Sequence, residues 1–516
     1  MNENKSSGSQ EKVTFGIDKR ENFSDWYNEI IRLAELVDMR YGVKGFIVYR
    51  EWSTISIKKI FESFEKELEV DGHSPTIFPI VIPEKNFEIE KDHVEGFTPE
   101  VLWVTEAGSS GRLEERLAMR PTSETAMYPM YAMWVRSYRD LPMKLYQSGP
   151  VWRYETKATR PFVRGREFWW IESHDVFETD EGAKKQVWTD LAISRTVLWD
   201  QLGIPILQFQ RPQWDKFAGA DETFVSDAIM PNGRFLQLPS THLLGQRFAK
   251  AFGIKFLDQS NEEAVAYQTC YGPGITRIYG AMIATHGDNS GLVLPYWTAP
   301  VQVVVIPILG KKKAEAVSEK CREITQQLKE GGIRARLDES DARPGDKYYF
   351  HEMKGVPFRV EVGARELAKD QVTVFTRDNK ERIVVPLAEL RQHLEGEAEV
   401  MLGRMKAKAW AEVKDLITNV SSLRELASVV EAGKVARIPY CSMDFDGEVC
   451  AQVVKAESGG GDVRGRLVYS APSEVVGGED GMKKGLFDDD DKPATGTTCL
   501  TCDKPATVFV YVGKQY

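Results

Sequence analysis

A chain of 516 residues is too long for one ordinary core, and at ~150 residues per domain it divides into about three. Its 42% hydrophobic and 28% charged residues describe a globular protein, with charges interrupting every apolar run before the roughly 18 residues of a membrane span. A formal charge of -10 excludes nucleic-acid binding over the whole surface, so any RNA contact has to be local.

The polar opening MNENKSSGSQEK has neither the apolar core of an export signal nor the Arg-rich face of a transit peptide, so a soluble, cytoplasmic protein without a membrane partner is expected. From Ser24 to Met39, Trp26, Ile30, Leu33 and Val37 recur at helical spacing behind a Ser24 cap, which predicts an amphipathic helix lying on a sheet. A second helix follows from about Ser56 to Val70. Ser74 to Pro83 (SPTIFPIVIP) is rich in Ile, Val and Pro and reads as a strand. Glu167 to Phe177 (EFWWIESHDVF) holds β-favouring aromatics, and strand periodicity puts Trp170, Glu172 and His174 on one side.

Near Pro295 the pattern turns to βα alternation. Val301 to Ile308 is an apolar strand, a helix follows to Gly331-Gly332, and strands are expected at IRARLDE, Pro357 to Val362 and Val372 to Phe375. After Leu402 helical text runs to Glu431. Gly-rich and acidic segments (GGGD, GGED, DDDDK) then separate the cysteine pairs and read as mobile loops.

The candidate chemistry begins at Arg153-Tyr154-Glu155. An isolated Arg-x-Glu is more often a surface ion pair. Here it closes a strand-like run and precedes a basic loop, KATRPFVRGRE, in which Arg164 and Arg166 offer charge for phosphates and the following Phe168 a ring for a base. No Walker A sequence competes for a nucleotide. Downstream, GPGITRIYGAM places Arg277 after glycines and before a helix.

These three elements, in this order, resemble motifs 1, 2 and 3 of class II aminoacyl-tRNA synthetases: helix, strand and Pro83; Arg153-x-Glu155 with the loop and Phe168; and Arg277. RPTSET with Thr122 and Glu124, and WIESH with Trp170, Glu172 and His174, resemble the prolyl-tRNA synthetases within that class. The resemblance implies an α+β catalytic domain, an antiparallel sheet with helices, over 21–297, after a flexible N-terminus of residues 1–20. An α/β anticodon-binding domain over 298–400 and a small α/β zinc-binding domain over 401–516 would follow.

The resemblance also implies a reaction, in which the carboxylate of L-proline attacks the α-phosphate of ATP and the prolyl group then passes to the 3′ end of tRNA(Pro). The carboxylate is already anionic, so charge stabilisation matters more than a general base. Arg153 would bridge the carboxylate and the α-phosphate, Arg164 and Arg277 would hold the γ-phosphate, and Glu155 would orient the adenosine. Phe168, Gln237, Ser240 and Thr241 complete the implied ATP site, with magnesium as its ion. Thr122, Glu124, Arg153, Trp170, Glu172, His174, Phe217, His242 and Cys270 would form the proline pocket. Cys270-Tyr271-Gly272 stands where the family usually has Ser-Trp-Gly, so a different pocket floor is expected.

RPGDKYYFHEMKGVPFRVEVGARE resembles the prolyl-type anticodon domain, which implies Arg343, Lys347, Lys354, Arg359 and Glu361 as RNA-facing residues; a solvated helix face is the alternative. Cys441, Cys450, Cys499 and Cys502 fall in one terminal module. By spacing alone they are a structural zinc site, a redox pair or free thiols. Archaeal and eukaryotic-type prolyl enzymes carry such a zinc module and end in tyrosine, as this chain does at Tyr516, and the span from Phe177 to Cys270 is too short for the bacterial editing insertion. Without that insertion, some activation of alanine or cysteine is expected.

A homodimer through motif 1 is implied as well. A threonine or histidine synthetase would share the architecture but not Thr122, Glu124 and WIESH. A non-catalytic paralogue would be expected to lose Arg153 or Arg277, and a zinc hydrolase would need His-rich ligands.

Overall fold

The computed structural model describes residues 16–88, 101–155, 157–310, 314–470 and 492–516. Most of the N-terminal tail and the segments containing GGED and DDDDK lie outside the described residues, and so do the expectations made for them. The chain forms two compact units. One joins the chain up to Leu36 to His286–Met401, and the other joins Val37–Thr285 to Leu402–Tyr516.

The larger unit is organised by an eleven-stranded sheet. Its middle runs Leu207–Gln210, Glu222–Ile229, Phe235–Gly245, Tyr267–Pro273, Glu167–Phe177 and Met143–Trp152, each antiparallel to the next. All of these strands except Met143–Trp152 are buried over most of their length, because the helix Asp180–Arg195 and the apolar group around Tyr128 and Phe248 pack against them. Between Phe177 and Tyr267 the chain builds that helix, three of these strands, a short helix and a small hairpin, which leaves no room for an inserted domain.

The terminal module does not stand apart from this sheet. Its strand Asp462–Ser470 pairs with Leu207–Gln210, and Val508–Gly513, Val435–Tyr440 and Ile417–Asn419 extend the same sheet outward. Gly465 makes the junction possible: its φ is +124° and a Cβ would lie 2.0 Å from the Gln210 carbonyl oxygen, so a side chain would push the strands apart.

The smaller unit contains a five-stranded sheet in the order Ala335–Leu337, Val303–Ile308, Phe358–Gly363, Gln371–Thr376 and Arg382–Pro386. The first three are parallel and the last two antiparallel additions, and the all-apolar Val303–Ile308 is the buried parallel strand its composition demands.

Several boundaries differ from the sequence reading. The first helix is Phe23–Leu33 and is capped by Asn22, whose side chain accepts from the Asp25 N–H, rather than by Ser24. It belongs to the smaller unit, where the Trp26 indole donates to the Asp288 carbonyl at 3.1 Å. SPTIFPIVIP is two short strands in different sheets, Ser74–Pro75 and Val81–Pro83. The helical text after Leu402 is the end of Leu390–Leu416, a short strand, and then Leu423–Glu431. Among the described residues no helix is long and apolar enough to cross a membrane.

Candidate active site

A cavity of about 370 Å³ opens on the large sheet, within the ~300–1,000 Å³ usual for small-molecule sites. Strand alternation explains most of its walls. Glu167–Phe177 turns Trp170 and Glu172 to the cavity, with His174 further along the same face and fully buried. Phe235–Gly245 turns Ser240 and His242 inward. Gln237 joins them because an extra residue between Gln237 and Ser240, opposite Val225/Asp227, shifts the alternation by one.

Thr241 faces the other way. Its hydroxyl donates to the Asp190 carboxylate at 2.6 Å beneath the sheet, so the expectation that it meets the nucleotide is corrected by the two-residue period of the strand.

One half of the cavity is cationic. Arg277 is partly buried and held by two carbonyls, with Nε donating to Val163 O at 3.2 Å and Nη1 to Gln237 O at 3.0 Å. Burial, with Arg164 and Arg153 nearby, lowers it to about 10, which leaves it charged at neutral pH. Arg164 Nη1 donates to Glu155 Oε2 at 2.7 Å, and the Arg153 guanidinium lies 5.5 Å from the Phe168 ring centre and 5.0 Å from that of Trp170. Arg153 thus stands at the border of the two halves.

The other half is acidic and aromatic. Glu172 receives the Thr122 hydroxyl at 2.9 Å, the Ser123 N–H at 3.1 Å and the Ser123 hydroxyl, so it locks the loop that presents Glu124. Burial opposes its ionisation, but His174, Ser123 and Arg120 outweigh this and hold it down to about 2. His174 is raised, the neighbouring Glu124, Glu172 and Asp175 overcoming its burial. Phe217 lies 4.8 Å from the His242 ring, and Thr223 joins His242 Nδ1 at 2.9 Å. Burial, reinforced by His174 and Arg211, lowers His242 to about 3 and keeps it neutral. The Cys270-Tyr271-Gly272 floor is tight: a Cβ on Gly272 would lie 2.6 Å from the Trp170 indole, so only glycine fits under that ring. Tyr271 points away, its hydroxyl 2.8 Å from Ser194.

Three lining residues carried no local sequence signal. Arg211, Arg464 and Gln515 meet at the cavity edge, where Arg464 donates to Asp227 Oδ2 at 2.7 Å and Arg211 donates to the Gln237 side chain at 3.1 Å. Arg464 and Gln515 come from the terminal module, through the pairing of Asp462–Ser470 with the catalytic sheet.

The residues expected to face RNA are placed differently. Arg343 is exposed at the start of the helix Pro344–Met353. Lys347 is buried, donating to Asp338 O at 3.0 Å, and Lys354 is buried on Ala34 O at 2.7 Å and Glu35 at 3.1 Å. Arg359 is 2% exposed, paired with Glu361 at 2.8 Å and Glu352 at 3.2 Å between the rings of Tyr348 and Phe375. In the terminal module the four sulfurs of Cys441, Cys450, Cys499 and Cys502 lie within 4.8 Å of one another, Cys441 and Cys450 at 3.7 Å.

Residues 103–286 match the tRNA synthetase class II core domain (G, H, P, S and T), and residues 302–397 match an anticodon binding domain. The proline–tRNA ligase of Thermofilum pendens is 47% identical over 502 residues, covering 97% of this chain and 98% of that protein. The chain belongs to the prolyl-tRNA synthetase family. The enzyme of that name from Methanococcoides burtonii is 39% identical over 499 residues, covering 96% and 98%. The Giardia lamblia prolyl-tRNA synthetase, solved in complex with prolyl-adenylate, superposes with a TM-score of 0.89 at 37% identity, over 97% of this chain and 99% of that one.

Proposed function

We propose that this chain activates L-proline with ATP to prolyl-adenylate and transfers the prolyl group to the 3′ end of tRNA(Pro). The observation that carries this reading is the division of one cavity into a cationic half and an acidic, aromatic half, with Arg153 between them. The proline carboxylate attacks the α-phosphate and pyrophosphate leaves. Arg153 holds both anions together, while Arg164 and Arg277 take the charge of the departing phosphates. The secondary ammonium meets Glu124 and Thr122, and the pyrrolidine ring lies against Trp170 and Phe217. Phe168 and Glu155 hold the adenosine, with Gln237 and Ser240 beside it. Magnesium brought with ATP would supply neutralisation of phosphate charge beside Arg164 and Arg277.

The terminal cysteines suit structural zinc. Tetrahedral ligation at ~2.3 Å puts sulfurs about 3.8 Å apart, close to the 3.7 Å between Cys441 and Cys450, and the surrounding valines exclude solvent. We assign residues 21–297 to activation, apart from the helix Phe23–Leu33 and residues 286–297, which fold with the smaller unit, 298–400 to anticodon binding and 401–516 to zinc binding, in a cytoplasmic enzyme. In the smaller unit Arg343 is the best placed of the candidate RNA contacts. A homodimer through motif 1 is supported by Ile77 and Ile80, which precede the strand Val81–Pro83 and are 98% and 48% exposed.

ATP–pyrophosphate exchange across the twenty amino acids tests the assignment. Proline should lead, with alanine and cysteine detectable at roughly 10–200-fold lower efficiency, because a missing methylene changes binding by only ~1–3 kcal/mol. A lead by threonine or histidine would overturn it.

A further inference from the structure

The acidic end of the proline pocket holds donors that recognition of a secondary ammonium does not require. Glu124, His174 and Cys270 each present one ligand atom, all mutually within 4.8 Å and all three residues buried. They come from separate elements: the first turn of the helix Glu124–Trp134, the strand Glu167–Phe177 and the strand Tyr267–Pro273, where Cys270 is the antiparallel partner of His174. Cys270 Sγ lies 3.7 Å from Glu124 Oε1.

His174 engages the Tyr128 hydroxyl through Nδ1 at 3.0 Å. Its Nε2 is buried with no hydrogen-bond partner among the described residues, and Glu172 Oε1 is 3.9 Å away. A buried nitrogen without a partner is costly unless something else meets it. In the neutral ring with Nδ1–H donating to Tyr128, Nε2 offers its lone pair, the arrangement metal-bound histidines adopt.

Carboxylate, imidazole and thiol together suit soft or borderline divalent cations, whereas magnesium prefers oxygen alone. Tetrahedral zinc wants its ligand atoms about 3.3–3.8 Å apart, so the set has to close by about 1 Å, within reach of side-chain torsions. Glu124 and Glu172 supply the negative field that would otherwise receive the ammonium.

We propose that a soft divalent cation, with zinc as the probe, binds Glu124, His174 and Cys270 and excludes proline by taking the place of its ammonium. The thiol S–H bond breaks as the sulfur–metal bond forms, any proton on His174 Nε2 is displaced as the nitrogen–metal bond forms, and the released protons leave to solvent without any redox change. The inference rests on the proline pocket assigned above and makes zinc a competitive inhibitor of this site.

The experiment starts from enzyme carrying one zinc per chain on the terminal cysteines. Zinc is titrated by calorimetry into wild type, Cys270→Ala and Cys270→Ser, with and without saturating proline or ATP, and exchange inhibition is measured against both substrates. A second equivalent should bind the wild type, be displaced by proline but not by ATP, and weaken roughly tenfold or more in both variants. Inhibition should be competitive with proline alone. ATP titration of the variants checks their fold. Absence of a second equivalent, zinc retained under saturating proline, or unchanged affinity in both variants overturns the metal site. Proline-dependent exchange before zinc is added tests the pocket assignment separately: its absence would overturn that assignment, while the second-equivalent stoichiometry still decides the metal site.

Discussion

The cavity of the larger unit and the basic residues of the smaller one look alike in sequence, since both are charged side chains set among aromatics. In the cavity, Arg153 and Arg164 from one loop and Arg277 from a distant helix converge on one space. In the smaller unit Lys347, Lys354 and Arg359 turn inward onto carbonyls and carboxylates of their own unit. The difference teaches that a charge pattern says a cation is needed, and only geometry says whether its partner is a ligand or the protein itself.

The largest expected effect is on the first side of that comparison. Arg153→Ala should lower the exchange rate by about 10²–10³-fold, as for other preorganised transition-state donors, while the melting temperature stays put. Near-normal exchange would remove Arg153 from its place between the two halves.

Arg359→Met should act on stability instead. Breaking a fully buried ion pair costs ~3–5 kcal/mol; Arg382 still reaches Glu361 at 3.3 Å, so about 2 kcal/mol is expected, read by denaturant unfolding with proline exchange retained. Loss of tRNA charging without loss of stability would instead make Arg359 an RNA contact.

A comparable effect should follow pH at the buried Asp190, which burial and the nearby Asp175 raise to about 7 against the hydrogen bonds of Thr241 and Gln186. Its folded form prefers the proton. Stability should therefore fall as pH rises from about 4, where the unfolded carboxyl ionises, to about 7, where the folded one follows, by a few kcal/mol at most. In Asp190→Asn that part of the slope should vanish in melting curves across this window. An unchanged slope would show that Asp190 is ionised throughout. The smallest effect belongs to the exposed Arg343: Arg343→Ala should raise the KM for tRNA a few-fold and leave proline exchange and stability alone.

Much of the candidate site is legible in the sequence, because it is written locally. Thr122 and Glu124, and Trp170, Glu172 and His174, each sit within one short segment whose strand or loop geometry orders them. Arg153 to Phe168 and Arg277 announce themselves by residue type around a turn. Thr241 was misread through ignorance of the phase of its strand, which the extra residue after Gln237 resets. Arg464 and Gln515 could not be read at all, since they reach the cavity only when a strand some 250 residues further on pairs with Leu207–Gln210, and Arg211 is set beside Gln237 by the pairing of the sheet.

By itself, then, the sequence determined the family's chemistry, the shared strand face of Trp170, Glu172 and His174, and the cysteine pairs Cys441/Cys450 and Cys499/Cys502, each set by neighbours a few residues apart. Tertiary structure alone decided that the terminal module lines one edge of the cavity with Arg464 and Gln515, that three expected RNA-facing cations are internal partners, and that Glu124, His174 and Cys270 meet. Each of those outcomes depends on pairing and burial between segments far apart in the chain, which no local periodicity encodes.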